Sequence, residues 1–333
     1  MKKALQITYL LLSTIAFSQK NETIEIGRIK DKSGMTKSLT VIDNRSSKEL
    51  GNITAKGETY QFSFSKAQPK EAIEAAFAES NKNSGKNDIV LLIKDLSFFN
   101  DDKSPDVAKA KINVATFFKR NDKYFFINRT EGVISANKIE GVNIAKTINN
   151  KVSRLLSQLI LDSYNHVAVS VPLNETSIAD YETIIKNTYS IYKSENLRPG
   201  VYLNFKSFVQ QQPTPATYRR DKDGDIKGVN DGTYDIRIGE IYCIVEGDKI
   251  FKAIPIGYRE VLKNEKGWYI EAIPADLFQQ STNGAMIGAM SGGMVGALIG
   301  AAIDSGNKNV GYASKVKTQI YLDQLTGEYV FKE

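Results

Sequence analysis

Chemistry at a protein site needs side chains that change protonation state, attack, or ligate, and this chain groups few of them. His166 is its only histidine and Cys243 its only cysteine. Nucleophilic and zinc-dependent catalysis set a histidine or thiolate beside a second polar partner. His166 follows Asn165 just past the end of a helical pattern and reads as a cap or surface residue. Cys243 alternates with Ile241 and Val245 and reads as a small core residue of a strand. No phosphate loop, dinucleotide fingerprint or G-x-S-x-G occurs. The sequence therefore reads as non-enzymatic, and it implies no cofactor.

The densest carboxylate group is Asp221, Asp223 and Asp225. Calcium loops use aspartates at alternate positions because a tight turn aims successive oxygens at one ion. The register starts that way and then departs: Ile226 stands where a glycine is needed for the turn, and Gly232 where a glutamate would ligate twice. A cation site and a solvated hairpin loop both remain open. Upstream, residues 200–215 (GVYLNFKSFVQQQPTP) place Tyr202, Phe205 and Phe208 three apart as a candidate binding surface. Arg198, Arg219 and Arg220 flank them without interleaved aromatics, which argues against nucleic-acid binding.

The other marked spacing is structural. Gly284, Gly288, Gly292, Gly296 and Gly300 recur every fourth residue within an uncharged run, 284–303. On a helix this clears one ridge for close approach by another helix. Each interior glycine costs a helix about 1 kcal/mol relative to alanine, so packing rather than propensity explains them. Such a run reaches roughly 30 Å, one hydrocarbon thickness. It is nonetheless weakly apolar, and a single span would strand the last hairpin of the chain, which is marginal alone in water. Ser291, Gly292 and Gly293 break it in the middle. The expectation is two short helices, 284–290 and 294–303, folded as a hairpin with both flanks in one compartment. Its partner would be a membrane or a second copy, or else its own domain. No protein partner can be named from the sequence.

The elements that hold these residues follow from the pattern. Lys2 and Lys3, the apolar stretch 7–16 and the small residues after it form an export leader over 1–19. The product is expected in the periplasm or outer membrane of a Gram-negative bacterium, or secreted. No cysteine follows the leader, which argues against a lipid anchor. The net charge is +6, two units of it from Lys2 and Lys3, so charge points to no anionic partner. With one cysteine there is no intrachain disulfide, and 41% hydrophobic residues, 16 Tyr and 15 Phe must supply the core.

A strand is expected at 58–64 from the alternation of Tyr60, Phe62 and Phe64. A helix follows from Pro69 to about Asn81, then a buried strand over 88–99. A hairpin over 108–118 and 123–128 comes next, and a strong helix carries Ile148, Val152, Leu155, Leu156, Leu159 and Ile160. A second helix is expected over 177–192. Strands are expected at 238–246, 249–255, 268–273, 318–325 and 328–331. The fold class is α+β: an N-terminal sheet with two helices (20–170), then a β-rich domain (171–333) interrupted by the glycine-rich helical hairpin.

The element order over 58–163 resembles the small domain of bacterial transport-auxiliary lipoproteins, in which a sheet with two helices on one face is an interaction module. The stretch 200–215 is similar to one in secreted bacterial proteins of unknown function. The glycine run resembles the glycine-zipper segments of bacterial outer-membrane surface antigens. Together these resemblances imply an envelope protein that works by contact.

Overall fold

The computed structural model describes residues 19–66, 68–82, 85–137, 143–194, 196–277, 279–280, 286–287 and 316–330. In chain order the first half contains β1 (Gln19–Ile24), β2 (Thr36–Asp43), β3 (Asn52–Ala55), β4 (Glu58–Phe64), α1 (Pro69–Ser80), β5 (Asn87–Asp101), β6 (Ser104–Arg120), β7 (Lys123–Asn137) and α2 (Ile144–Ser163). A four-stranded sheet has the order β2-β5-β6-β7, and β1-β4-β3 form a smaller one. Only β2–β5 and β1–β4 are parallel pairs.

The apolar run in β5 is continuous because both faces of the strand are covered. Ile89, Leu91 and Ile93 join the core under α1, α2 and the small sheet, while Val90 and Leu92 point into a second core on the other face. The tight turn between β6 and β7 has Asn121 and Asp122 at φ 48° and 54°, the left-handed pair that matches the strand twist. Asn143 starts α2 by accepting from the Lys146 N–H at 3.0 Å.

On that other face sits a broken helical segment: a 3-10 turn at Ile178–Asp180, α3 (Tyr181–Lys186), and a second 3-10 turn at Ser190–Tyr192. The continuous helix expected over 177–192 is thus corrected. Asn187, Thr188 and Ser190 are poor helix formers, and the Thr188 hydroxyl bonds the Ile185 carbonyl at 2.7 Å, ending α3. Of the expected apolar stripe, Ile178, Tyr181, Ile185 and Tyr189 are buried, whereas Tyr192, in the second 3-10 turn, is 39% exposed. The Tyr181 ring lies 5.3 Å from both Phe117 and Phe126.

Beyond it come β8 (Gly200–Tyr202), α4 (Phe205–Val209), β9 (Thr217–Arg220), β10 (Ile226–Asn230) and β11 (Asp235–Ile236). They are followed by β12 (Cys243–Glu246), β13 (Lys249–Ile254), β14 (Gly257–Asn264), β15 (Gly267–Ala272), β16 (Gln279–Gln280), β17 (Met286–Ile287), β18 (Thr318–Leu322) and β19 (Tyr329–Val330). The strand expected from Ile238 begins only at Cys243, because Ile238–Glu240 forms a 3-10 turn. An antiparallel seven-stranded sheet runs β19-β18-β15-β14-β13-β12-β8.

The class is α+β, with several sheets and a smaller helical share. One continuous core takes Val90, Leu92, Phe117 and Phe126 from before residue 170 and Tyr181, Tyr202, Phe208 and Cys243 from after it. The expected boundary at 170 therefore crosses packed side chains. Gly284, Gly288, Gly292, Gly296 and Gly300 lie outside the described residues. Of the 284–303 run only Met286 and Ile287 are described, and they form a strand antiparallel to β16 instead of a helical turn. The flanks are clear: β15 pairs directly with β18, from Tyr269↔Tyr321 to Ala272↔Thr318. Among the described residues no helix is long and apolar enough to cross a membrane.

Candidate functional site

Two clefts lie where the four-stranded sheet meets the later elements, and both use β7 and the turn joining β18 to β19. That turn is built around Asp323. Its Oδ1 accepts from the backbone N–H groups of Leu325 at 2.7 Å and Thr326 at 3.0 Å. The main chain closes with Asp323 N–H to the Glu328 carbonyl and Gly327 N–H to the Asp323 carbonyl, at 2.7 and 2.8 Å. Gly327 has φ 74°, and a Cβ there would come within 2.4 Å of the Phe205 ring, so only glycine fits.

The other oxygen of Asp323 takes the buried guanidinium of Arg129. Nε and Nη2 each approach Oδ2 at 2.8 Å, with side-chain exposures of 7% for Arg129 and 9% for Asp323. Nη1 lies 3.0 Å from Glu182 and 3.4 Å from Glu131. Lys94 holds the second oxygen of Glu182 at 3.2 Å. Burial opposes the charge on Arg129, yet Asp323 and Glu182 outweigh it and hold the guanidinium above its ordinary value. Burial likewise pushes the Asp323 carboxyl up, and Arg129 with the two backbone amides overcomes this and holds it below its usual range. The cleft over this cluster, about 620 Å³, is also lined by Lys109, Lys186 and Lys266. Because three carboxylates already surround Arg129, it offers no unmatched charge to an anion. Its role is to clamp the 323–328 turn to β7.

On the other side of that turn is a groove of about 950 Å³. Phe126, Tyr189, Val209 and Leu325 are buried beneath it, Phe205 is half-buried at its side, and residues 166–171 form a wall. Tyr189 fixes the floor to the turn by donating its hydroxyl to the Leu325 carbonyl at 3.1 Å. The polar groups are few. Asn128 is buried and accepts from the Thr116 hydroxyl, Glu328 is buried, and Asn204, Lys206 and Gln210 stand around the rim. A large apolar concavity with a few polar groups is the form of a binding site.

The chain matches no protein-family model, no curated protein and no solved structure.

Of the expected binding surface, only Phe205 reaches this groove. Tyr202 and Phe208 are 0% and 1% exposed, their rings packed edge to face at 5.5 Å, and the Tyr202 hydroxyl donates to the Arg198 carbonyl. A three-residue spacing makes a common face only on one helix. Here the chain is a strand through Tyr202 and begins α4 at Phe205, where Asn204 caps it through the Ser207 N–H. Asp221, Asp223 and Asp225 do share one tight turn between β9 and β10. Asp221 spends Oδ1 on the N–H groups of Asp223 and Asp225, and Lys227 lies 3.7 Å from its other oxygen. Among the described residues no group of three potential ligands is placed to hold a metal ion. The cluster is thus a hairpin turn that uses its carboxylate on its own backbone.

His166 is exposed at the rim and donates Nδ1–H to the Asp162 carbonyl at the end of α2, as a cap would. Cys243 is fully buried, and burial pushes its thiol well above the ordinary range, which makes it a poor nucleophile. Sequence reasoning missed Tyr189, Val209 and Leu325 as groove residues, and missed the wall 167–171. The alternating Val167, Val169 and Val171, uncharged throughout, were a signal for a strand that borders something.

Proposed function

We propose that the protein is an exported, non-enzymatic binding module of the cell envelope that takes its ligand in the apolar groove. The observation that supports this is the groove itself, open to solvent and floored by Phe126, Tyr189, Val209 and Leu325. The leader pattern supports export, and the buried Cys243 and the His166 that bonds the Asp162 carbonyl support a role without catalysis. The test is titration with the neutral dye Nile red. One saturable site is expected, weakened at least tenfold by Phe205→Asp. Equal binding by both proteins, or no saturable site, would defeat the reading.

A second reading concerns residues 284–303, proposed as a glycine-zipper segment for membrane association or self-assembly. The direct pairing of β15 with β18 favours a segment that leaves and returns at one place on the sheet. A single membrane crossing would pull these hydrogen-bonded strands away from each other. Carbonate washing of envelope fractions should leave the full chain with membranes and release a variant lacking 284–303. Release of both forms, each monomeric, would end this reading.

A further inference from the structure

The wall of the groove is a strand-like segment with main-chain groups to spare. Val169 N–H donates to the Phe126 carbonyl at 2.7 Å, and Tyr124 and Leu173 exchange two bonds at 2.9 Å, so the segment lies antiparallel along the outer edge of β7. A bend at Ser170 separates these two points of attachment. No described residue accepts from the N–H groups of Ala168, Ser170 or Val171, and none donates to the carbonyls of Ala168 or Ser170. Proteins normally blunt such edges with lysine, an inward charge or a covering element. Residues 167–173 (VAVSVPL) carry no charge, Val167 is 90% exposed, and Pro172 limits the edge at one end only.

We propose that this edge binds an extended polypeptide segment of a partner by strand addition. The inference rests on the groove being a binding site and names the class of its ligand. The partner's main chain pairs with Ala168 and Ser170. Its side chains on one face, at alternate positions, enter the groove over Tyr189, Phe205 and Leu325. The charge pattern matches this occupant. Lys206 is the one exposed formal charge among the lining residues, Glu328 being buried, and it selects an acidic group at the end of an otherwise uncharged segment. A hydrocarbon chain would fill the apolar floor but leave the alternating N–H and C=O groups of the wall unmatched. An extended backbone satisfies both.

The probe is an acetylated hexapeptide alternating valine with threonine and carrying one terminal glutamate. Two further versions are N-methylated at alternate amides, one on each edge of the extended chain. Saturable binding is expected to the full-length protein, with one methylated version at least tenfold weaker and the other unchanged. Amide exchange at Ala168 and Ser170 should slow at least tenfold on addition of the peptide. Val167→Lys, at an exposed position, should weaken binding about tenfold while keeping the circular dichroism of the parent.

Equal binding by both methylated versions would overturn strand addition. So would dye binding without peptide binding, which leaves the groove reading standing; failure of dye and peptide together removes both. A concentration-dependent dimer abolished by Val167→Lys and unaffected by the peptide would make a second copy the occupant and overturn the proposal.

Discussion

The charged cleft and the apolar groove are neighbours built from the same two pieces of chain. β7 gives Phe126 and Asn128 to the groove and Arg129 and Glu131 to the cleft. The turn joining β18 to β19 gives Leu325 and Thr326 to one and Asp323 to the other. The cleft is the more conspicuous, with a buried guanidinium among carboxylates. Yet every charge in that cluster answers another, so it has little left to offer a ligand. The groove has the reverse character: few charges, much apolar surface, and main-chain groups without partners among the described residues. Titratable clusters are often taken as functional, but structural ion-pair networks perturb pKa values just as strongly. What distinguishes a binding surface here is what remains unsatisfied.

The largest test breaks the cleft. Asp323→Ala leaves Arg129 buried without its main partner and should cost about 3–5 kcal/mol in urea unfolding. Asp323→Asn, which keeps an acceptor for the Leu325 and Thr326 N–H groups, should cost less than Asp323→Ala. A cost below about 1 kcal/mol for Asp323→Ala would mean the clamp is not structural. Acid gives a matching readout. Asp323 and Glu182 are both held below their ordinary values of 3.8 and 4.5. Their contribution is complete above those values and is lost as the pH falls through the lower, folded-state ones. Asp323→Asn should therefore flatten the acid limb of the stability curve.

Next in size is a buried lysine whose ammonium faces aromatic rings and donates to the Ala253 carbonyl at 3.1 Å. Lys252 is fully buried, its ammonium 4.4 Å from the Tyr242 ring centre and 5.5 Å from that of Tyr329. Burial pushes its pKa from 10.5 down to about 8. Between those values the unfolded chain holds more protons, so stability should climb as pH rises from about 8. The gain is at most about 3 kcal/mol. Above pH 10 the buried tyrosines reverse the trend, since Tyr242 and Tyr329 stay protonated in the fold while the unfolded chain ionises. Lys252→Met should remove the climb. Parallel curves for the two proteins would show that the rings and the Ala253 carbonyl fully compensate the charge.

Smaller effects belong to the groove. Phe205→Asp should cost about 1–2 kcal/mol, because the side chain is only half-buried, while its effect on dye binding is large. Val167→Lys should change stability by less than about 0.5 kcal/mol and make concentrated solutions slower to aggregate, as a charge on an open edge does. A stability loss at Val167 comparable to that at Asp323 would erase the distinction between the two regions.

Much of the scaffold could be read in advance because its signals are local. The alternation at Tyr60, Phe62 and Phe64 is β4, Pro69 opens α1, and the spacing from Ile148 to Ile160 is α2. The sites were less legible because their determinants are distant in sequence. Arg129 finds Asp323 across 194 residues, and nothing near either one announces the pair. Tyr202, Phe205 and Phe208 carry an aromatic signal, but a change from strand to helix between them turns two inward. The wall 167–171 was not read as an element, and that its outer edge stays open depends on where every other strand went.

The long reach from Arg129 to Asp323 also has a consequence for timing. Until β18 docks beside β15, Arg129 lacks its main counter-charge and the groove lacks Leu325 in its floor and Thr326 beside it. Contacts that close such large loops form late in folding, after their entropic cost has been met. The apolar floor and the open edge make a shaped receptor only once the 323–328 turn is docked. A folding intermediate with β7 in place and the final turn still free would expose a sticky surface without specificity, so the rate of that last docking step governs how long the chain is vulnerable to mispairing.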